Sequence, residues 1–417
     1  MDKVRMGFVG LGGRGRGCMH LVLSMPDVEV TAVCDLYEDR AELSARECEE
    51  KTGKRPYKTT DYKELVKRED VDAVIVTSAW EAHIPVAIAA MKAGKATAIE
   101  VGGAYSLNDC FDLVRTQEET GAPFMFLENC CFDELELIVT AMVRKGFYGQ
   151  VVHCSGSYAH DLRTEILGGE ENRHYRLRNY MHRNCENYPT HELGPIAKLL
   201  GINRGNRMVS LVSMASKSAG LKEYVESHKD TVNPNLIGKD FMQGDVVTTV
   251  IKCAHGETIH LMLDTSLPRG YNRQFTVHGT KAFSRCDSLQ YERDGREVYD
   301  SLNKYKHLLP NCWTDMTDEG RALGHGGMDG IEYRVFVDCL KEGKPMPIDV
   351  YDAAAWMCIS CLSETSIAQG GMPQEIPDFT HGQWLMRPLE DVVEFPDVEI
   401  EQLYVSKQSL AYSKQIS

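Results

Sequence analysis

The chain has 417 residues, 43% hydrophobic and 26% charged, and its 46 basic against 61 acidic residues give a net charge of −15. That length accommodates two or three domains with cores of their own, and an acidic surface without a Lys/Arg-rich block would repel a phosphate backbone, which excludes nucleic acid as a partner. No apolar run approaches the roughly 18 residues of a membrane span, and the opening MDKVRMGFVG has neither a basic nor an apolar leader, so a cytoplasmic protein with no membrane partner is expected.

The first 130 residues alternate strand and helix. Val4 to Gly10 is a short apolar strand ending in glycine, followed by a helical stretch to about Met25. The β-branched run Val28 to Asp35, the charged helix EDRAELSARECEEKTG closed by Gly53, and the helical DYKELVKRE come next. Val71 to Ser78 is a strand, Ile84 to Lys95 a helix stopping at Gly94, Ala96 to Glu100 a strand, SLNDCFDLVRTQEETG a helix and Pro123 to Asn129 a strand. Fully apolar strands between amphipathic helices imply a doubly wound parallel sheet covered on both faces. Past Asn129 the pattern changes. The helix ELELIVTAMVRKG leads into strands near 150–158, 208–216, 245–253, 257–264 and 273–279, with a hairpin turning at His255-Gly256 and helices near 191–200, 328–342 and 351–368. An α+β domain with an open, mostly antiparallel sheet and helices on one face is expected over 131–417, its tail after about 376 wrapping the surface. Fourteen scattered cysteines read as small buried residues; Cys358-x-x-Cys361 lies in an apolar helical run, where packing is favoured over zinc or redox chemistry.

Gly10-x-Gly12-x-x-Gly15 follows the first strand and opens a helix. Gly10 permits the tight turn, Gly12 lets the backbone approach a pyrophosphate and Gly15 lets helix and strand pack closely, with the phosphates on the helix N-terminus. Asp35 ends the second strand 20 residues past Gly15, where a carboxylate accepts hydrogen bonds from ribose hydroxyls and repels a 2′-phosphate. The first domain, 1–130, is therefore a Rossmann domain and its cofactor NAD rather than NADP. Arg14 and Arg16 point either toward the pyrophosphate or into solvent.

These motifs resemble the Gfo/Idh/MocA oxidoreductase-like family. Its dehydrogenases follow the fifth strand with Glu-Lys-Pro; here the sequence is Glu100-Val101-Gly102, without the lysine. With Thr77 to His83 (TSAWEAH), GSYAHDLR (Gly156 to Arg163), NYPTHELGP (Asn187 to Pro195), GINRG (Gly201 to Gly205), PRGYNR (Pro268 to Arg273) and GHGGMD (Gly324 to Asp329), the chain is similar to glycoside hydrolase family 109 from about Val4 to Phe379. Gly102 stands where that branch has Pro, Ala82 where it has Trp, and 170–186 diverges, which bears on sugar identity.

The resemblance implies an NAD-dependent glycosidase, typically an α-N-acetylgalactosaminidase, with a glycoside as its partner. NAD⁺ takes hydride from C3 of the sugar, a base removes the acidified C2 proton, the leaving group departs from C1, water adds and the hydride returns. It implies cofactor contacts from Gly13, Trp80, His83, Glu100, Val101 and Asn129 beside Gly10, Gly12, Arg14, Gly15 and Asp35. It places Tyr158, Arg176, Tyr188, His191 and Tyr271 at the sugar, with His191 and Tyr188 catalytic. From spacing alone, Tyr188 and His191 lie on one side of a helical turn, and an imidazole as a class titrates near neutrality. Packing by Tyr188 and capping by His191 explain the same spacing. No metal is expected: His153, His160, His174, His182 and His191 do not follow a ligand spacing. His325 either reaches the site or stabilises a helix start. A sugar dehydrogenase is the competing enzyme, which the missing lysine disfavours, and a non-catalytic NAD or sugar sensor the competing class. A homo-oligomer, dimer or larger, is expected, with the open sheet face as its surface.

Overall fold

The computed structural model describes residues 2–322 and 324–399. They form two units: residues 2–129 with 317–361, and residues 130–316 with 362–399.

In the first unit, β1 (Val4–Val9), β2 (Val28–Cys34), β3 (Tyr57–Thr59), β4 (Ala73–Val76), β5 (Ala96–Glu100) and β6 (Phe124–Leu127) form a sheet in the order β3-β2-β1-β4-β5-β6. Every pairing is parallel. β4, β5 and β6 are buried at every residue, as strands covered on both faces must be. The covering helices are α1 (Gly13–Val22), α2 (Glu38–Thr52), α3 (Tyr62–Leu65), α4 (Trp80–Lys92) and α5 (Leu107–Thr120). Strand order reverses between β1 and β4, and at such a switch point a crevice opens beyond the carboxyl ends of the strands. Gly10, Thr77 and Glu100 lie at those ends.

The second unit begins with α6 (Glu134–Arg144), β7 (Val151–Ala159), α7 (Arg163–Leu167), α8 (Arg176–His182) and α9 (Thr190–Leu199). β8 (Met208–Ala215), α10 (Gly220–Ser227), β9 (Val246–Cys253), β10 (Thr258–Asp264), β11 (Thr276–Gly279), β12 (Ala282–Arg285), β13 (Ser288–Arg293), β14 (Arg296–Ser301) and α11 (Asn311–Thr314) follow, and β15 (Gln374–Glu375) comes later. The nine strands run in the order β14-β13-β12-β11-β7-β10-β9-β8-β15, antiparallel except where β7 and β10 pair in parallel. The hairpin near His255-Gly256 is present, with Lys252 opposite Thr258 and Gly256 at φ +104°. Strands β12 to β14 were not expected, because AFSRCDSLQYERDGREVYDS is too charged to read as sheet. The missed signal is Asp294-Gly295, both at positive φ (54° and 70°) in the hairpin turn.

Helices α12 (Asp318–Ala322), α13 (Met328–Glu342) and the first turns of α14 (Val350–Ala368) group with the first unit rather than the second, which differs from a division at 130/131. α13 packs against α1, where Arg334 and Lys341 each reach the Asp27 carboxylate at 2.8 Å. Trp356 meets Phe126 edge-on with ring centroids 6.0 Å apart. Apolar periodicity reveals a helix's buried face but not which core that face joins. The tail is anchored through Arg144, which binds Asp391 and the Lys198 carbonyl at 2.7 Å each. Residues 400–417, also assigned to the tail, lie outside the described residues. None of the described helices is long and apolar enough to cross a membrane.

In the second unit α9 lies on β7 at Gly156, where a Cβ would come within 2.8 Å of Glu192 Cβ. Gly156→Ala must push strand and helix apart, and overpacking of this kind costs about 1–3 kcal/mol. A lowered Tm in thermal denaturation is the expected result; an unchanged Tm would mean that this approach is slack.

Candidate functional site

In the first unit the glycine turn separates into two kinds of position. Gly10 has φ +96°, and a Cβ on it would collide with the Ser78 backbone. A Cβ on Gly15 would press on the Gly10 carbonyl and lie 2.6 Å from Thr77 Oγ1. These two glycines let β1, α1 and β4 meet. Gly12 and Gly13 instead face open space, with only Arg40 Nη1, 3.7 Å from a Cβ on Gly12, within 4 Å. No side chain caps α1 at Gly12, so the start of that helix is open to an anion. Asp35 is 6% exposed and oriented by its backbone neighbours: Oδ2 accepts from Leu11 N at 2.6 Å and Oδ1 from Tyr37 N at 2.9 Å. Each carboxylate oxygen keeps acceptor capacity for a further donor.

The Arg14 side chain, about a third exposed, is engaged by two carboxylates. Its guanidinium binds Glu100 Oε1 at 2.7 Å and pairs with Asp329, while Arg16 pairs with Glu47. Asn129 Nδ2 donates to Asp329 Oδ1 at 2.7 Å, and His325 Nδ1 lies 3.0 Å from Asp329 Oδ2. Trp80 and His83 open α4. The Trp80 indole covers Gly102, where a Cβ would fall 2.7 Å from Trp80 Nε1, so proline or any side chain at 102 would displace the ring. His83 Nε2 is 2.9 Å from the Ser78 carbonyl, and burial pushes the ring down to about 4, so it is neutral at pH 7.

The second unit brings its predicted residues together. Tyr158, at the end of β7, packs against Tyr188 (centroids 4.6 Å apart), His191 (5.5 Å) and Tyr271 (6.4 Å). Tyr188 OH, two residues before α9, and His191 Nε2, in its first turn, are 3.3 Å apart. Arg176, 7% exposed, places its guanidinium 5.0 Å from the Tyr188 ring centroid and its Nε 2.8 Å from Glu165 Oε1. Burial pushes the Tyr158 phenol up, so it remains a neutral donor, and burial pushes His160, beside Tyr158 and Tyr271, down. Tyr271 is 50% exposed, and Arg273 Nη1 donates to its hydroxyl at 3.1 Å.

Sequence reasoning missed Glu165 beside Arg176, Arg273 behind Tyr271, and Asp329. Only Asp329 left a signal, as an acid in the first turn of a helix behind a glycine-rich loop. The five clustered histidines separate: His153 meets His278 (centroids 5.2 Å), His174 stacks on Tyr175 (4.5 Å) and His182 ends α8, leaving His160 and His191 at Tyr158.

Residues 4–127 match the NAD-binding Rossmann fold of the Gfo/Idh/MocA oxidoreductase family, and residues 132–386 match the C-terminal domain of glycosyl hydrolase 109. The chain belongs to glycosyl hydrolase family 109. Among its relatives, an alpha-N-acetylgalactosaminidase of Tannerella forsythia is 37% identical, covering 92% of this chain and 88% of its own. Another of that name, from Bacteroides fragilis, is 36% identical over 92% of this chain and 93% of its own. A levoglucosan dehydrogenase solved with NADH and levoglucosan shares the fold, at TM-score 0.68 and 18% identity over 90% of this chain and all of its own.

The cofactor of this family 109 chain is NAD. The first unit fits it: an uncapped helix start under two side-chain-free residues for phosphate, and an oriented carboxylate at Asp35 for a ribose diol. Asp35→Ala removes that carboxylate and strands the Leu11 N–H. Hydrogen bonds to a charged acceptor contribute about 1.5–3 kcal/mol, so NAD affinity should fall about 10- to 150-fold. Calorimetry reads this directly, and an unchanged Kd would rule out Asp35 as the ribose contact.

Proposed function

We propose that this chain is a glycosidase acting on α-N-acetylgalactosaminides or related glycosides through a redox-neutral cycle. The sugar is oxidised at C3, loses its aglycone from C1 by elimination, takes up water and is reduced again. The names of the curated relatives support the substrate class. The observation that carries the mechanism is the Tyr188–His191 pair, 3.3 Å apart at the start of α9 and set against the Tyr158 ring.

NAD, when bound, supplies the hydride acceptor and donor, so oxidation and reduction cancel over one turnover. His191 and Tyr188 move the protons: one removes the C2 hydrogen, and the hydrogen bond between them spreads the charge that this step creates. Tyr158 and Tyr271 cover the apolar face of a pyranose. Arg176 meets ring oxygens as a cation that Glu165 already balances. A dehydrogenase of this fold family would place a lysine after Glu100; Val101 carries no proton, and Glu100 is occupied with Arg14.

One assay separates the readings. A chromogenic α-N-acetylgalactosaminide, incubated without added cofactor, should release aglycone with no rise in absorbance at 340 nm. NADH accumulation would select a sugar dehydrogenase, and absence of both a sensor. In D₂O the released sugar should carry deuterium at C2, whereas direct displacement leaves that position untouched.

His191→Ala and Tyr188→Phe should each lower kcat by about 10²–10⁴-fold, the usual worth of a positioned acid–base group, with NAD retained. Near-wild-type kcat in both would remove the pair from the chemistry.

A further inference from the structure

Asp329, in the first turn of α13, is 1% exposed, and its two carboxylate oxygens serve three residues, two of them distant in sequence. Arg14, from the first turn of α1, pairs with Oδ2 and reaches Oδ1 through Nη2 at 3.3 Å. Asn129, just beyond β6, donates to Oδ1 at 2.7 Å. His325, four residues upstream, holds its Nδ1 3.1 Å from Oδ1 and 3.0 Å from Oδ2.

The local backbone is shaped around this carboxylate. Gly324, His325, Gly326 and Gly327 all have positive φ (22°, 50°, 73° and 105°), which turns the chain back over the start of α13. A Cβ on Gly324 would collide with the carboxylate, lying 2.8 Å from Asp329 Cγ. Burial works against the charge on Asp329, but the His325 hydrogen bond and the Arg14 charge outweigh it and hold the carboxyl well below the usual range. Glu332, one turn on, is fully buried with neither oxygen hydrogen-bonded; burial and then the Glu100 and Asp329 charges push it far up.

We propose that Asp329 is the positioning residue of the cofactor site, fixing Arg14 and Asn129 together so that both are set for NAD before it binds. The inference rests on Arg14 and Asn129 being cofactor residues, and it adds a residue from the far end of the chain that need not touch NAD. Asp329→Asn keeps the volume but turns an amide toward a guanidinium. Gly324→Ala leaves Asp329 in place chemically and displaces its carboxylate. A third variant, Asp27→Ala, loosens the same helix by releasing Arg334 and Lys341, away from Arg14 and Asn129.

NAD⁺ affinity by calorimetry, emission of bound NADH and Tm are measured for all three variants and the wild type. Asp329→Asn and Gly324→Ala should each weaken NAD⁺ by about tenfold or more and shift NADH emission, since loss of a charged hydrogen-bond partner is worth that much. Asp27→Ala should lower Tm and leave both cofactor readouts alone. Wild-type affinity in Asp329→Asn, or an equal loss in Asp27→Ala, would overturn the positioning role. A wild-type protein that binds no NAD would overturn the cofactor reading itself, and this inference with it.

Discussion

Carboxylates buried in protein must keep a cation within reach, because an unpaired buried charge costs several kcal/mol. Glu100 at the end of β5 and Asp329 at the start of α13, both buried, meet that requirement through Arg14. One side chain in the dinucleotide turn thereby ties together a strand terminus and a helix some 300 residues away in sequence. Much else in the first unit follows from this demand. The stretch containing α13 has to belong with the parallel sheet, the loop before it has to bend through positive φ to admit the carboxylate, and Gly324 has to lack a side chain.

The second unit solves a different problem, that of packing side chains that are half apolar and half polar against one another. Gly156 allows α9 to approach β7 closely, and that approach sets the first turn of α9 beside the last residues of the strand. Tyr158, Tyr188 and His191 meet as a result, although 30 residues separate the first from the second. Arg176 finds Glu165, and Asp264 pairs with Arg269. Charges around the tyrosines are thus matched locally, an environment suited to an uncharged sugar more than to an anionic one.

The first domain was legible because its signals are local. An apolar run ending in Gly10, glycines at fixed spacing and an acid closing the next strand each report a backbone requirement that the neighbouring residues also express. The proximity of Tyr188 and His191 was legible for the same reason, since three residues across a helix start keep two side chains close. Partners chosen by tertiary packing were not. Nothing near Arg14 in sequence predicts that its charge is met by Asp329, and nothing near Arg176 distinguishes a free cation from one paired with Glu165 eleven residues upstream. The hairpins from β12 to β14 failed for a further reason: an edge of sheet with one wet face tolerates so many charges that its alternation is hard to see, and only the Asp294-Gly295 turn betrays it.

The fold is shared with sugar dehydrogenases, so the fold cannot be what separates cleavage from oxidation. The separating features have to be individual side chains, and they fall in both units. In the first, the position that carries a lysine in related dehydrogenases holds Val101, which leaves the proton work to another part of the chain. In the second, the Tyr188–His191 turn offers two groups already hydrogen-bonded to each other. A dehydrogenase needs one proton acceptor at the oxidised carbon and then releases both products. A redox-neutral glycosidase needs proton traffic at a second carbon, and it must keep the reduced cofactor until the sugar is ready to take the hydride back. On the proposed reading, the hydrogen-bonded pair Tyr188 and His191 would serve the first of these needs. Strong holding of NAD would slow a dehydrogenase, whereas in the proposed cycle it would remove a wasteful escape route from every turnover.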